Sequence, residues 1–316
     1  MNFQQLRILR ETVRQDFNLT TVANTLFTSQ PGVSKHIKDL EDELGIEIFV
    51  RRGKRLLGLT EPGKELLVVV ERILLDVQNA RSIADHFSNR ATGNLVIATT
   101  HTQARYALPE VIKSFKAAYP KVHLVLHQGS PREIAELLSA GEADIAIATE
   151  WLNHVPEIAT FPYYTWQHAV IVPRDHPLTR LNAPTLADLA EYPIITYHEG
   201  FTGRTNIDRS FAEAGLVPDI VLSAIDADVI KTYVDVGLGI GIIAAMAYHP
   251  ERDGNLVRID VPDVFPLNTT RLAIRRGVYL RDYAYDFIFR LVPGLNEERI
   301  AELLRKETVG REDFVI

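Results

Sequence analysis

Two stretches of this 316-residue chain combine side chains suited to recognition. The first is Thr99-Thr100-His101-Thr102-Gln103, which directly follows the β-branched run Leu95–Thr99 and precedes a helical pattern. Hydroxyls and the free amides of a helix start can hold an anion without any lysine or arginine. Plain N-capping would need one such hydroxyl, and three threonines stand here. The second is Arg51-Arg52-Gly53-Lys54-Arg55, four cations around a glycine turn. Such a run is usually a solvated surface, but it follows Gln30, Pro31, Ser34 and Lys35, a small polar set at the start of a helical pattern. Cations of that kind grip phosphate, and Gln or Lys can read base edges.

Further candidates sit where short strand patterns end. Gln128-Gly129-Ser130 and Thr149 follow two of them, and Phe201-Thr202-Gly203-Arg204 follows another and opens a helix. Trp166 stands near the crossover between two halves, where an indole could close a cleft or simply fill a core. Arg204 is the one full positive charge in these motifs. Covalent catalysis has no comparable support. Cysteine is absent, which excludes disulfides, thiolate chemistry and cysteine-based zinc or iron–sulfur sites. The ten histidines are scattered, with no HExxH pair, and no metal site or cofactor is expected. Gly237-Leu238-Gly239-Ile240-Gly241 imitates a dinucleotide fingerprint but follows a helix, so it reads as a helix stop and turn.

The elements that must position these residues follow from periodicity. Phe3, Leu6, Leu9, Val13 and Phe17 form one face of a first helix. Thr20 is the expected cap of a short helix, 21–26, and Ser29 the cap of the next, with Val33, Ile37, Leu40 and Leu44 as its apolar stripe and Gly45 as its stop. Glu47–Val50 and Leu56–Leu59 read as two strands around the basic turn. This is the layout of a winged helix-turn-helix, with the second helix of the motif set to enter a major groove. Thr60 opens a long helix in which Leu66, Val70, Ile73, Val77, Ala80, Ala84 and Phe87 recur at alternating spacings of four and three. That is a heptad seam, suited to pairing with a second copy of the chain. Beyond the hinge expected at 90–93, strand patterns alternate with helical ones (104–118, 131–140, 205–214, 228–236), which predicts parallel α/β sheets.

The expected domains are residues 1–59, a linker and dimerisation helix over 60–90, and an effector-binding part over 91–316. Net charge is −7 for the whole chain but +1 over residues 1–90, so the acidic balance resides in the C-terminal part. The N-terminus lacks an apolar signal region and no apolar run reaches spanning length, so a cytoplasmic protein without membrane association is expected.

The positions Val22-Ala23, Leu26, Ser29-Gln30-Pro31, Val33-Ser34-Lys35, Ile37, Leu40-Glu41, Leu44-Gly45, Phe49, Arg51, Thr60 and Gly63 resemble the signature of LysR-type transcriptional regulators. Gly32 and Lys35 stand where Ala and Arg are common in that family. The motifs Ile97–Tyr106, His127–Pro131, Gly200–Arg204 and Asp226–Tyr233 resemble its CysB/Cbl branch, which controls sulfur assimilation and cysteine biosynthesis. The opening Met1–Leu6 and the stretch Val50–Gly58 lean to the Cbl type, which serves sulfonate use. The resemblance implies a periplasmic-binding-protein-like effector domain, with subdomain I at about 91–163 and 268–316 and subdomain II at about 164–267. It implies that Thr100, Thr102, Gln103, Thr149, Trp166 and Thr202 line a site for a sulfate-like anion. Gln128, Ser130 and Arg204 join that set from their positions at strand ends. The resemblance further implies adenosine 5′-phosphosulfate or N-acetylserine-type effectors, a homodimer or homotetramer on double-stranded DNA with dyad half-sites, and RNA polymerase as a partner.

Overall fold

The computed structural model describes residues 1–53, 55–88, 92–201 and 203–305. The chain divides into two compact units, Met1–Ser88 and Asn89–Ile316.

The first unit opens with α1 (Phe3–Arg14), held by a capping box in which Asn2 and Gln5 exchange hydrogen bonds. Helix α2 (Leu19–Thr25) is capped by Asn18, which accepts from the amides of Thr20 and Thr21. Thr20 is therefore inside the helix, not at its cap: Asn18 offers the same oxygen two residues earlier. Helix α3 (Gln30–Leu44) begins at the Ser29 cap and ends at Gly45 in the left-handed region, as the sequence predicts. Strands β1 (Phe49–Arg52) and β2 (Arg55–Leu59) pair antiparallel, Arg52 opposite Arg55, so three of the wing's cations lie in strand backbone.

Helix α4 (Glu61–Ser88) packs its first half onto this head. Thr60 donates to the Glu47 carbonyl at 2.6 Å and accepts from the Gly63 amide at 3.0 Å. A Cβ on Gly63 would sit 2.2 Å from the Ile48 carbonyl oxygen, so only glycine lets α4 approach there. Leu66, Val70 and Ile73 join Leu6, Leu9, Val33, Ile37, Leu40 and Phe49 in one apolar core. Part of the expected seam is thus spent within the chain, and the helix belongs to the head unit instead of standing alone. Ala80, Ala84 and Phe87 remain exposed.

The second unit holds two five-stranded sheets. In the first, the strand order is β4 (Val122–Gln128), β3 (Gly93–Thr99), β5 (Ile145–Ala148), β12 (Asn268–Arg275), β6 (Ile158–Trp166). In the second it is β11 (Leu256–Asp260), β7 (His168–Pro173), β10 (Ile240–Ala244), β8 (Ile194–Tyr197), β9 (Ile220–Ala224). Strands β3, β4 and β5 run parallel, as do β8, β9 and β10, while β12 and β7 run against their neighbours. Helices α5 (Pro109–Ala118), α6 (Pro131–Ala140) and α10 (Asp282–Leu291) cover the first sheet, and α7 (Leu186–Ala190), α8 (Arg204–Glu213) and α9 (Ala227–Asp235) the second. Helix α11 (Glu297–Arg305) closes the described chain.

The chain passes from one lobe to the other twice, at Gln167 and over residues 261–267. The crossover falls three residues later than expected because β6 runs on through Trp166 as the partner of β12. The helix expected over 104–118 is broken in two. A π-helical turn, Gln103–Ala107, comes first, and α5 restarts at Pro109, whose missing amide hydrogen cannot continue a helix. Gly237 ends α9 with φ +83°, which makes the glycine run a stop and turn.

Candidate functional site

On the head, α3 buries Val33, Ile37 and Leu40 and turns Gln30, Pro31 and Lys35 to solvent, with Ser34 half-buried between them. Gln30 donates to the Ser34 hydroxyl at 3.1 Å, so the two polar side chains are pre-aligned along the first turn. In the wing, Arg52 and Arg55 are exposed, and Lys54 lies outside the described residues. Arg51 is held differently. Its guanidinium pairs with Glu41 at 2.6 Å, while the other carboxylate oxygen of Glu41 accepts from the Ile48 and Phe49 amides at 2.9 and 3.3 Å. That arrangement pins β1 to α3, and it commits part of the cation's donor capacity inside the head. Phe27, at the turn between α2 and α3, is 97% exposed with φ +51°. The sequence reads Phe27–Thr28 as a turn, and the structure places Phe27 between α2 and α3, but nothing in the local pattern marks its ring as exposed.

In the second unit, the residues at the end of β3 meet the two crossover strands. Thr100 is 2% exposed, and its Oγ1 has no hydrogen-bond partner among the described residues. A buried hydroxyl without a partner costs stability unless something else satisfies it. Thr102 is equally buried and lies within hydrogen-bonding reach of the Tyr197 phenol on β8. Gln103 donates to the Thr270 hydroxyl at 3.2 Å and accepts from the Tyr164 phenol at 2.6 Å. Burial pushes the Tyr164 phenol up to about 12, so it stays a neutral donor. Trp166 directs its indole N–H onto the same Thr270 oxygen at 3.1 Å. Gln103 and Trp166 are therefore already hydrogen-bonded within the protein, and each buttresses the strand that carries Thr270.

The other expected site residues are distributed around this centre. Thr149 is buried at the end of β5. Ser130 caps α6 through a reciprocal pair with Glu133, and exposed Gln128 contacts the His101 ring at 2.8 Å. Arg204 is only 7% exposed; its Nε donates to Asp208 at 2.7 Å, and its Nη1 donates to the Tyr197 carbonyl and the Ser223 hydroxyl at 2.6 and 3.3 Å. That commits two of the three guanidinium nitrogens within the second lobe. Thr202 lies outside the described residues.

Three residues not singled out from sequence complete the centre: His168, Asn268 and Thr270, all buried at the first positions of β7 and β12. Asn268 accepts from Asn206 on α8 at 2.7 Å and faces His168 Nδ1 at 3.4 Å through its own amide nitrogen. With Nδ1 accepting, the ring hydrogen sits on Nε2, which has no partner among the described residues. Burial drives the His168 pKa down to about 3, so the ring is neutral at physiological pH. Its Nε2 edge packs over Gly203, where a Cβ would lie 2.4 Å away. The only signal for these residues in the sequence is their position beside the crossovers, which periodicity places to within a few residues at best.

A winged helix-turn-helix head followed by two sheets joined by double crossovers, with an unsatisfied polar centre between them, is matched by known families. A family model described as "Bacterial regulatory helix-turn-helix protein, lysR family" covers residues 3–64, and one described as "LysR substrate binding domain" covers residues 88–294. The chain is a LysR-family transcriptional regulator. It is 60% identical to the HTH-type transcriptional regulator SsuR of Burkholderia cenocepacia over 97% of this chain and 99% of that one. It is 55% identical to the HTH-type transcriptional regulator cbl of Escherichia coli over the whole of both. The solved cofactor-binding domain of the Cbl transcriptional regulator superimposes with a TM-score of 0.66 at 49% identity, covering 68% of this chain and 95% of that domain. This regulator therefore stands in the CysB/Cbl branch of the family and is a DNA-binding protein, not an enzyme. Among the described residues, no helix is long and apolar enough to cross a membrane.

Proposed function

We propose that this regulator controls genes of sulfur or sulfonate assimilation from the cytoplasm. It binds dyad half-sites in duplex DNA as a dimer or tetramer, engages RNA polymerase there, and responds to a sulfate-like anion held between the lobes of its C-terminal unit. The observation that carries the effector reading is Thr100: a hydroxyl 2% exposed at a strand end, with its oxygen unpartnered among the described residues. Thr149 and neutral His168 are buried beside the strand ends that frame it, and Arg204 is already paired. A site made of neutral donors suits a ligand that only accepts hydrogen bonds, as fully ionised sulfate does, alone or as the end group of an ester. A protonated phosphate would also need an acceptor.

The names of the relatives and the LysR fold support the regulatory part of the reading. Calorimetric titration of the full-length chain with sulfate, thiosulfate, N-acetylserine and adenosine 5′-phosphosulfate tests the effector part. Binding of at least one sulfur oxyanion, accompanied by altered affinity for its promoter DNA, is the expected result. Tight binding of N-acetylserine with none of the oxyanions would replace this reading with a neutral-donor site for an amino-acid derivative.

A further inference from the structure

Three residues after Gln103, Tyr106 leaves its own lobe and seats on the other. Its ring packs against the buried cluster of Ile195, Tyr197, Ile230 and Ala247 in the second lobe. Its hydroxyl donates to Asp228 Oδ1 at 2.7 Å and accepts from Lys231 Nζ at 3.1 Å. Arg105 adds an ion pair to the second oxygen of Asp228 at 2.6 Å.

The receiving pair is preassembled. Lys231 is 7% exposed, and within its own lobe its ammonium contacts Asp228 at 3.1 Å, Asp253 at 3.0 Å and the Ala247 carbonyl at 2.9 Å. Burial alone would raise the Asp228 carboxyl and lower the Lys231 ammonium. The hydrogen bonds from Tyr106 and Lys231, with the charges of Lys231 and Arg105, outweigh it and hold Asp228 below the ordinary carboxylate range. Lys231 is likewise held above its ordinary value by Tyr106, Asp253 and Asp228. Both groups therefore stay ionised, and the phenol bridges them as donor to one and acceptor from the other.

We infer that Tyr106 is a positioning residue for the effector site, a clasp that docks on the Asp228–Lys231 pair and holds the two lobes together over the residues at the end of β3. The geometry gives it that reach. Thr100, Thr102, Gln103 and Tyr106 share one short segment, and the π-helical turn at Gln103–Ala107 carries Gln103 onto the crossover strand β12 and Tyr106 onto α9. π-Turns of this kind are frequent at functional sites. A ligand that moves the end of β3 moves the clasp with it, and the clasp in turn sets the fraction of molecules with a closed, binding-competent cleft. Its consequence for affinity rests on the effector reading above; the clasp itself does not.

The natural absence of cysteine makes the test clean. Spin labels at Glu136→Cys on α6 and Glu213→Cys on α8 report the distance between lobes by pulsed electron paramagnetic resonance. Dilution into excess unlabelled chain isolates distances within one molecule. In the ligand-free full-length protein the parent gives one distribution. Tyr106→Phe, which keeps the ring and deletes the hydroxyl, adds a longer population, and Asp228→Asn does the same. Neither lowers the thermal midpoint by more than a few degrees. Thiosulfate binding, where the parent shows it, weakens at least threefold in both variants. If Tyr106→Phe keeps the parental distance distribution, the clasp is overturned. If the parent binds no sulfur oxyanion at all, the effector reading fails while the distance measurement still judges the clasp.

Discussion

Gln103 and Thr270, 167 positions apart in the chain, meet at 3.2 Å with the amide donating to the hydroxyl. Through that bond the segment after β3 is tied to the strand by which the chain returns from the second lobe. Thr270 also accepts the Trp166 indole hydrogen. Thr270→Val therefore leaves two buried N–H groups without their acceptor, each costing about 1–3 kcal/mol. Urea unfolding should show a loss of roughly 2–6 kcal/mol, and Trp166 emission should change in the folded state. A stability within ~0.5 kcal/mol of the parent would mean that Thr270 is not the acceptor described.

The neutral state of His168 has a pH signature. Its folded pKa of about 3 lies below the unfolded value near 6.5, so between those limits the unfolded chain carries the extra proton. The group's contribution is fully present above pH 6.5 and is lost as pH falls, with a slope of about 1.4 kcal/mol per pH unit. Chemical unfolding from pH 6.5 to 4.5 should show that slope in the parent and a shallower one in His168→Gln. Equal slopes would mean that another group carries the acid sensitivity.

On the head, Lys35 and Arg52 should separate by the kind of binding they support. Lys35→Ala should cost about 1–3 kcal/mol on promoter DNA and little on random duplex. Arg52→Ala should weaken both and flatten the salt dependence by about one unit of slope. Arg51→Ala should in addition lower head stability, because Glu41 then loses its partner at 2.6 Å. Fluorescence anisotropy over a salt series on both duplexes distinguishes these outcomes, and an equal loss on both for Lys35→Ala would remove it from the base-reading set.

The heptad reading was legible over the whole of α4 but did not identify what each position packs against. Leu66, Val70 and Ile73 obey the seam spacing yet fill the head's own core, because the same spacing serves any helix with one apolar stripe. Secondary structure was legible for a related reason: α3, with its Ser29 cap and Gly45 stop, is specified by local chemistry. Long-range pairings were not. Strand β6 is not legible in the local pattern, and His168, Asn268 and Thr270 meet only because two distant crossovers come together. Arg204 stood out in sequence as the one cation in the effector motifs, and nothing local foretold that Asp208 and the Tyr197 carbonyl would occupy it.

That division selects the residue for testing self-association. Ile73→Asp would damage the head's core, whereas Val77 lies outside that core's membership and Ala84 is exposed. Val77→Asp and Ala84→Asp should yield monomers with weak promoter affinity, since two linked half-site contacts become two separate ones. Light scattering at micromolar concentration that still shows a dimer for both would argue that the seam beyond Ile73 pairs nothing.

The central claim is that the buried Thr100 hydroxyl awaits an anion, and one paired measurement on Thr100→Val tests it. The substitution keeps the shape and removes an oxygen that has no partner among the described residues. Without ligand, stability should therefore stay level or rise by up to about 1 kcal/mol, and ligand-free DNA binding should be unchanged. Calorimetric affinity for the sulfur oxyanion that the parent binds best should fall about tenfold or more, the loss of one charge-assisted hydrogen bond worth ~1.5–3 kcal/mol. An affinity equal to that of the parent, or a variant destabilised by several kcal/mol without ligand, would contradict the account.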